Sequence, residues 1–247
     1  MEKVIIIGAT SGIGLCIAEI LNKQGVAIGI AGRRSERLEQ FKNSHNGIVE
    51  TAVIDVTSDD AATAFLQLAD RMEDIDTVLI CAGIGCQNVD LHIEQELDIM
   101  QTNVTGFSRM VITAFNYFKN RSGGHIAVIS SIAGTKGLGV SPAYSATKRF
   151  QNTYIQCLAQ LASMSKANIT FTDIKPGFVD TDLLKSGHFP MLMKPEFVAQ
   201  KAVNAIKHKR RSVIIDWRYR LLVAFWKLIP DFVWEKLTIV KTSNTNK

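Results

Sequence analysis

Tyr144 and Lys148 stand four residues apart in the run Tyr144-Ser145-Ala146-Thr147-Lys148. In a helix that spacing puts both side chains on one face. A free phenol has a pKa near ~10 and is a poor acid or base at neutral pH. An ammonium group one turn away favours the phenolate and lowers that value. A fall of ~3 units corresponds to roughly 4 kcal/mol of differential stabilisation. A lysine and a second cation in a dry cleft are able to supply it. Such pairs are common, so the surroundings decide. Ser130-Ser131 closes an apolar run upstream of Tyr144, Asn103 lies in an earlier helical stretch, and Pro176-Gly177-Phe178-Val179-Asp180-Thr181 follows another apolar run. A phenol near neutral pKa beside a second hydroxyl suits proton transfer at a carbonyl oxygen.

These residues need a frame. Short apolar runs alternate with amphipathic stretches throughout. Strands are predicted at 4–7, 26–30, 48–53, 78–81, 126–130, 169–174 and 213–215. Helices are predicted at 12–24, 35–43, 58–72 (capped by Ser58), 94–119, 143–165 and 195–207. Strands apolar throughout must be covered on both faces. That predicts an α/β fold: a doubly wound, Rossmann-type parallel sheet of about seven strands with helices on both sides. Such a sheet takes its ligand beyond the carboxyl ends of its strands, where every residue named above falls. Residues 1–216 are expected to form a single nucleotide-binding and catalytic domain. Residues 217–247 read as an amphipathic extension of it, with a polar tail at 242–247.

The 247 residues are 47% hydrophobic and 21% charged, ordinary globular composition that excludes a disordered chain. The net charge is +5. Residues 201–220 hold seven basic side chains and one acid, so the remainder is close to neutral and a nucleic-acid-binding domain is not expected. Cys16, Cys81, Cys86 and Cys157 form no CxxC pair and match no zinc spacing, which points to thiols in a reducing compartment. The first apolar run is too short for a signal-peptide core. No run reaches the length of a membrane span. Together these predict a cytoplasmic protein without a metal.

The turn Gly8-Ala9-Thr10-Ser11-Gly12-Ile13-Gly14 joins the first strand to the first helix. Gly8 permits a tight turn, Gly12 lets backbone approach a pyrophosphate at a helix N-terminus, and Gly14 permits close helix packing. The second strand ends Ala31-Gly32-Arg33-Arg34. An acid there would read the ribose hydroxyls of NAD; two guanidinium groups suit the 2′-phosphate of NADP instead. NADPH is therefore expected over NADH. Asp55, after the third strand, either accepts the adenine amino group or caps its own loop.

The chain resembles the short-chain dehydrogenase/reductase family in its compact single-domain branch. The matching residues are Gly8-x-x-x-Gly12-Ile13-Gly14, Asp55-Val56, Cys81-Ala82-Gly83, Asn103, Ser131, Tyr144-x-x-x-Lys148 and Pro176-Gly177-x-Val179-x-Thr181. The resemblance implies hydride transfer between NADP(H) and a carbonyl or alcohol. Tyr144 would donate the proton during reduction, and Ser131 would bond the same oxygen. Lys148 would hold the nicotinamide ribose and lower the phenol pKa. Asn103 would hold a water in a proton relay to Lys148, and Val179 and Thr181 would fix the carboxamide. Thr10, Ser11, Arg33 and Arg34 complete the expected cofactor contacts. The family commonly has two asparagines before Ala82-Gly83; here Ile80-Cys81 replaces them. A homodimer or homotetramer through the helices bearing Asn103 and Tyr144 is implied too.

Gly134, Gly137 and Gly139 are expected to leave space beside Ser131. Leu183–Met193 brings Leu183, Leu184, Phe189, Pro190, Met191, Leu192 and Met193 to the same edge, with Lys185 and Lys194 as the available carboxylate partners. Met-rich apolar surface adapts to irregular ligands, so a hydrophobic ketone or secondary alcohol is expected, although simple lid packing fits equally. The alternatives are a hydroxysteroid-type alcohol dehydrogenase and a non-catalytic nucleotide sensor. All three tryptophans (Trp217, Trp226, Trp234) lie at the C-terminus, where Leu221, Leu222, Phe225, Trp226 and Ile229 follow helical spacing beside Arg218, Arg220 and Lys227. Segment 217–236 is expected to cover the pocket, to meet another subunit, or to lie on an anionic membrane surface.

Overall fold

Val4 and Ile6 enter one hydrophobic cluster while Ile5 and Ile7 enter another. The period-2 alternation of a strand is thus apolar on both sides, as a central strand demands. A computed structural model of the chain describes residues 1–184 and 189–237. All seven strands are parallel: β1 (Lys3–Ile7), β2 (Ala27–Gly32), β3 (Val49–Val53), β4 (Thr77–Ile80), β5 (Gly124–Ile129), β6 (Ile169–Pro176) and β7 (Ser212–Ile215). Their spatial order is β3-β2-β1-β4-β5-β6-β7. The order reverses between β1 and β4, opening a crevice at their carboxyl ends. The doubly wound sheet expected from the sequence is the observed fold.

Helices α1 (Gly12–Lys23), α2 (Ser35–Ser44) and α7 (Pro195–Lys207) cover one face, with Ile17, Leu38 and Val198 in its cluster. Helices α3 (Ala61–Met72), α5 (Phe107–Lys119) and α6 (Pro142–Met164) cover the other, through Phe65, Val111 and Ile155. Two helices differ from expectation by more than the one or two residues by which other boundaries shift. Helix α3 starts at Ala61, because Asp60 rather than Ser58 occupies the N-cap position. The single helix expected over 94–119 is α4 (Ile93–Met100) and α5 joined by a π-helical turn, Gln101–Gly106. Such widened turns recur at functional sites. This one contains Asn103.

After β7 come α8 (Trp217–Leu228) and a single turn, α9 (Asp231–Trp234), separated by Pro230. Asp216 caps α8 by accepting from the Arg218 amide at 2.9 Å. The apolar stripe read from the sequence splits in two. Tyr219, Val223 and Trp226 are buried, whereas Leu221, Leu222 and Phe225 are exposed. A helix apolar on both sides carries no periodic signal of which side faces inward. Lys185 and the tail at 242–247 lie outside the described residues. Among the described residues no helix is long and apolar enough to cross a membrane.

Candidate active site

The π-helical turn delivers Asn103 to full burial, where its side chain binds backbone. Oδ1 accepts from the Ile84 amide at 2.9 Å, and Nδ2 donates to the Ile84 carbonyl at 2.7 Å and to Thr147 Oγ1 at 3.2 Å. Asn103 thereby ties the loop after β4 to α6. Its own carbonyl accepts from Gln151 Nε2 at 2.9 Å. The Gln151 oxygen in turn accepts from Lys148 Nζ at 3.0 Å, and Lys148 also donates to the Ile129 carbonyl at 3.1 Å. An ammonium has three donors, so one remains for another acceptor. A Cβ on Gly83 would lie 3.1 Å from Asn103 Oδ1 and 3.5 Å from Lys148 Nζ. The loop after β4 therefore passes directly over this polar floor.

Tyr144 lies in the first turn of α6, opened by Pro142. Glu96 of α4 accepts from the Ala143 amide at 2.9 Å, satisfying a donor that has no partner within the helix. The phenol ring rests on Gly85, where a Cβ would come within 2.3 Å of it. The buried Ser131 hydroxyl lies beside the phenol, donates to the Pro176 carbonyl at 3.4 Å and accepts from the Ala133 amide at 3.0 Å. Ser145 donates to the carbonyls of Ala133 (2.8 Å) and Lys136 (3.0 Å), pinning the loop that carries Ser131 to α6. Ser131, Tyr144 and Lys148 thus meet at one spot.

The electrostatics depart from the expected lowering of the phenol pKa. Burial raises Tyr144 above its ordinary value, and Ser131 offsets only part of this. Lys148 Nζ lies 5.7 Å from the ring centroid. Burial also draws Lys148 down to about 8, opposed by Cys81 and Asp173. Removal from water outweighs the attraction of neighbouring charges at Lys148 and the influence of Ser131 at Tyr144. Cys81 is likewise pushed up to about 11 by burial, so it is a protonated, poorly reactive thiol at neutral pH.

Across the crevice, Gly12 adopts φ +56°, and a Cβ there would meet Thr181 Cγ2 at 3.3 Å. Gly8 is pressed on the Cys81-Ala82 backbone, and a Cβ on Gly14 would lie 2.2 Å from the Gly8 carbonyl. Ser11 caps α1 without a side-chain bond, leaving the first-turn amides of α1 directed toward the crevice. Arg34 donates to Thr10 Oγ1 (3.2 Å) and Ser11 Oγ (2.7 Å), and Arg37 to the Thr10 carbonyl (3.1 Å). Asp55 takes the local option. Its Oδ1 accepts from the Thr57 amide (3.0 Å) and hydroxyl (2.7 Å). Burial works against its charge, but these bonds and Arg33 hold its carboxyl below the usual range. Val56 is buried and accepts from Arg109 at 2.8 Å. A cleft of about 910 Å3 adjoins Thr181, lined by Asp180, Leu184, Lys194 and Glu196 among others.

A family model described as short chain dehydrogenase matches residues 2–188. The chain belongs to the short-chain dehydrogenase family. An uncharacterized oxidoreductase of Myxococcus xanthus is 29% identical over 92% of each chain. Among solved structures, an alcohol dehydrogenase of Thermococcus sibiricus complexed with 5-hydroxy-NADP aligns at TM-score 0.75 and 23% identity, over 87% of this chain and 96% of that one. A 3-ketoacyl-(acyl-carrier-protein) reductase of Brucella melitensis complexed with NADH aligns at 0.77 and 22%, over 87% and 96%. At these identities the two structures speak for the fold alone.

This short-chain dehydrogenase is an oxidoreductase whose site includes residues that motif spacing did not reveal. Gln151 is one turn beyond Lys148 but belongs to no motif; only its position at i+3 on the same face could have marked it. Arg37, one turn into α2, joins Arg34 at the glycine turn. Tyr219 comes from α8. Its hydroxyl accepts from the Phe178 amide (3.1 Å) and donates to the Pro190 carbonyl (2.9 Å). Its ring fills the space where a Cβ on Gly177 would sit, at 2.3 Å. One expectation is corrected. Gly134 does not open space beside Ser131, because a Cβ there would strike the Lys148 carbonyl at 2.5 Å; Gly137 and Gly139 do face open space.

Proposed function

We propose that this protein reduces the ketone of a hydrophobic substrate to a secondary alcohol, using NADPH. The observation that carries the reading is the convergence of the Ser131 hydroxyl on the Tyr144 phenol within a crevice floored by Lys148. The crevice residues fit a dinucleotide. Gly12 and Thr181 face each other at the crevice, Gly12 in the left-handed conformation that favours glycine, and α1 presents its amides there. Gly8, Thr10, Ser11, Ile13 and Gly14 would hold the pyrophosphate end. Arg33 and Arg34, with Arg37, would take the 2′-phosphate. Asp55, Val56, Cys81, Ala82 and Gly83 would line the adenosine and ribose side, and Pro176, Gly177, Val179 and Thr181 the carboxamide. The nicotinamide supplies the hydride when bound.

The chain's own groups supply the proton. A phenol held above its ordinary pKa is protonated at neutral pH, so Tyr144 is set up as a donor to the carbonyl oxygen. Ser131 donates a second hydrogen bond to that oxygen and stabilises the developing charge. The remaining Lys148 donor holds the ribose. Its charge also eases donation of the Tyr144 proton, since a cation nearby favours the phenolate left behind. In the reverse direction the phenol must first lose its proton, which favours reduction near neutrality. Oxidation of an alcohol would therefore gain most from alkaline pH.

A cytoplasmic location, where reduced nicotinamide is maintained, accords with this chemistry. Leu97, Met100, Ile112, Leu161 and Met164 are exposed on α4, α5 and α6. They support a homodimer or homotetramer through these helices, to be checked by light scattering. The functional test is a ketone panel with both cofactors, read by loss of reduced-nicotinamide absorbance. Tyr144→Phe should still bind NADPH while turnover falls by about 10³-fold; undiminished turnover would refute the mechanism.

A further inference from the structure

Helix α8 is apolar on both sides, and among the described residues only one side has a partner. The inner side is seated on the loops that frame the candidate site. Tyr219 bonds the backbone at Phe178 and Pro190, Trp226 Nε1 donates to Thr135 Oγ1 at 3.0 Å, and Trp234 of α9 donates to the Gly137 carbonyl at 2.6 Å. On the outer side Trp217, Leu221, Phe225 and Leu228 follow helical spacing in one stripe, 64%, 51%, 69% and 79% exposed. Phe232, 68% exposed, continues it beyond Pro230.

Along α8 the charges beside the stripe are of one sign, and the exposed Glu235 stands beside its continuation in α9. Arg220 and Lys227 fall on one flank at helical spacing, both exposed, and α8 contains no acidic residue. The acids at its two ends are engaged: Asp216 pairs with Arg218, and Asp231 with Lys136. A second copy laid on the stripe would bring no α8 carboxylate to these cations. An anionic lipid headgroup layer meets both features, since aromatic and aliphatic side chains enter the acyl boundary while guanidinium and ammonium groups stay among phosphates.

We propose that the outer face of α8 and α9 docks this protein on an anionic bilayer surface, so that the loops held by its inner face receive a ketone dissolved in the membrane. The docking stands on the exposed face alone; delivery of the ketone rests on the reductase reading above. The full-length protein is mixed with vesicles of phosphatidylglycerol in phosphatidylcholine, or of phosphatidylcholine alone, and floated. Binding is expected to the anionic vesicles and to weaken with added salt. Leu221→Ser with Phe225→Ser should lose more than tenfold in vesicle affinity. NADPH binding and the unfolding temperature should hold, because both side chains are exposed. Arg220→Gln with Lys227→Gln should cost about fivefold per charge.

Three results would overturn docking: an intact chain that stays off anionic vesicles, a serine pair that binds as well as the parent, or loss of binding on removing residues 238–247 alone. A dimer by light scattering that the serine pair dissociates, with no vesicle binding, would assign the face to a second copy. Delivery has its own readout. Anionic vesicles should accelerate turnover of a long-chain ketone dissolved in them, and the serine pair should lose this acceleration yet keep its rate on a short water-soluble ketone. Vesicle binding without turnover of either ketone would remove the reductase reading and leave docking intact.

Discussion

Helices α6 and α8 meet the loop between Ser131 and Leu138 from different directions and are built on opposite principles. Helix α6 buries polar groups and, the Asn152 oxygen apart, bonds them: Ser145, Thr147, Lys148 and Gln151 are all buried, each with named partners. Helix α8 buries Tyr219, Val223 and Trp226 and leaves Trp217, Leu221, Phe225 and Leu228 in solvent. A buried polar group without partners is costly, so the network on α6 tolerates few arrangements. An exposed apolar stripe costs little locally and fixes nothing within the chain. The contrast separates what specifies chemistry from what specifies association.

The comparison breaks first, if it is wrong, at Lys148. Lys148→Met removes the cation on the floor of the crevice and leaves the Gln151 oxygen and the Ile129 carbonyl without this donor. Turnover should fall by about 10³-fold, with weaker cofactor binding seen by fluorescence titration. A loss of less than tenfold would show that burial of the phenol, without a neighbouring charge, is enough. The inner face of α8 should come next. Trp226→Ala opens a cavity and removes the donor to Thr135 Oγ1, which keeps its own bond to the Ile132 carbonyl, so about 3 kcal/mol of stability should be lost in denaturant titrations. Turnover should suffer only as far as the Ser131–Leu138 loop loosens.

The sequence was legible where chemistry needs fixed spacing. The Tyr144–Lys148 interval, the glycine turn and the alternation of apolar runs are local patterns, and the sheet and the meeting of Ser131, Tyr144 and Lys148 follow from them. It was less legible where contacts are long-range. The π-helical turn has no periodic signature, because one extra residue in a turn leaves the apolar spacing of Ile99, Phe107 and Met110 nearly intact. The role of Gly134 depends on α6 packing against it. The inward side of α8 could not be read because both sides are apolar. With the ammonium alone the phenol shift runs upward for a related reason. Spacing reports that a cation is near, but not how much water both groups lose.

Gln151 sharpens the comparison within α6 itself. Its amide spans Lys148 and the Asn103 carbonyl, so it positions the ammonium without touching the reacting atoms. With Lys148 near a pKa of about 8, reduction should decline as pH rises through that value and the ammonium loses its proton. Gln151→Leu removes an acceptor from the charged form, which lowers the Lys148 pKa further and moves the alkaline limb to lower pH. Gln151→Glu places a carboxylate there and should move the limb upward. Turnover at neutral pH should drop about tenfold in the leucine variant. A lowered unfolding temperature with an unmoved pH limb would reduce Gln151 to a packing residue.

The smallest effect is expected on the outer face of α8, and its smallness is the point. Leu221 is 51% exposed two residues from Val223, which is 2% exposed. Leu221→Ser removes apolar surface that already faces water, so the unfolding free energy should change by less than ~0.5 kcal/mol. Val223→Ser at the inner face removes buried methyl groups and strands a hydroxyl, and should cost several times as much. The two substitutions delete similar chemistry from one helix, so the ratio of their costs measures how far its two sides differ. Equal costs by denaturant titration would mean that the outer stripe is already covered in the free protein, and the distinction between a chemical face and an associating face would fail.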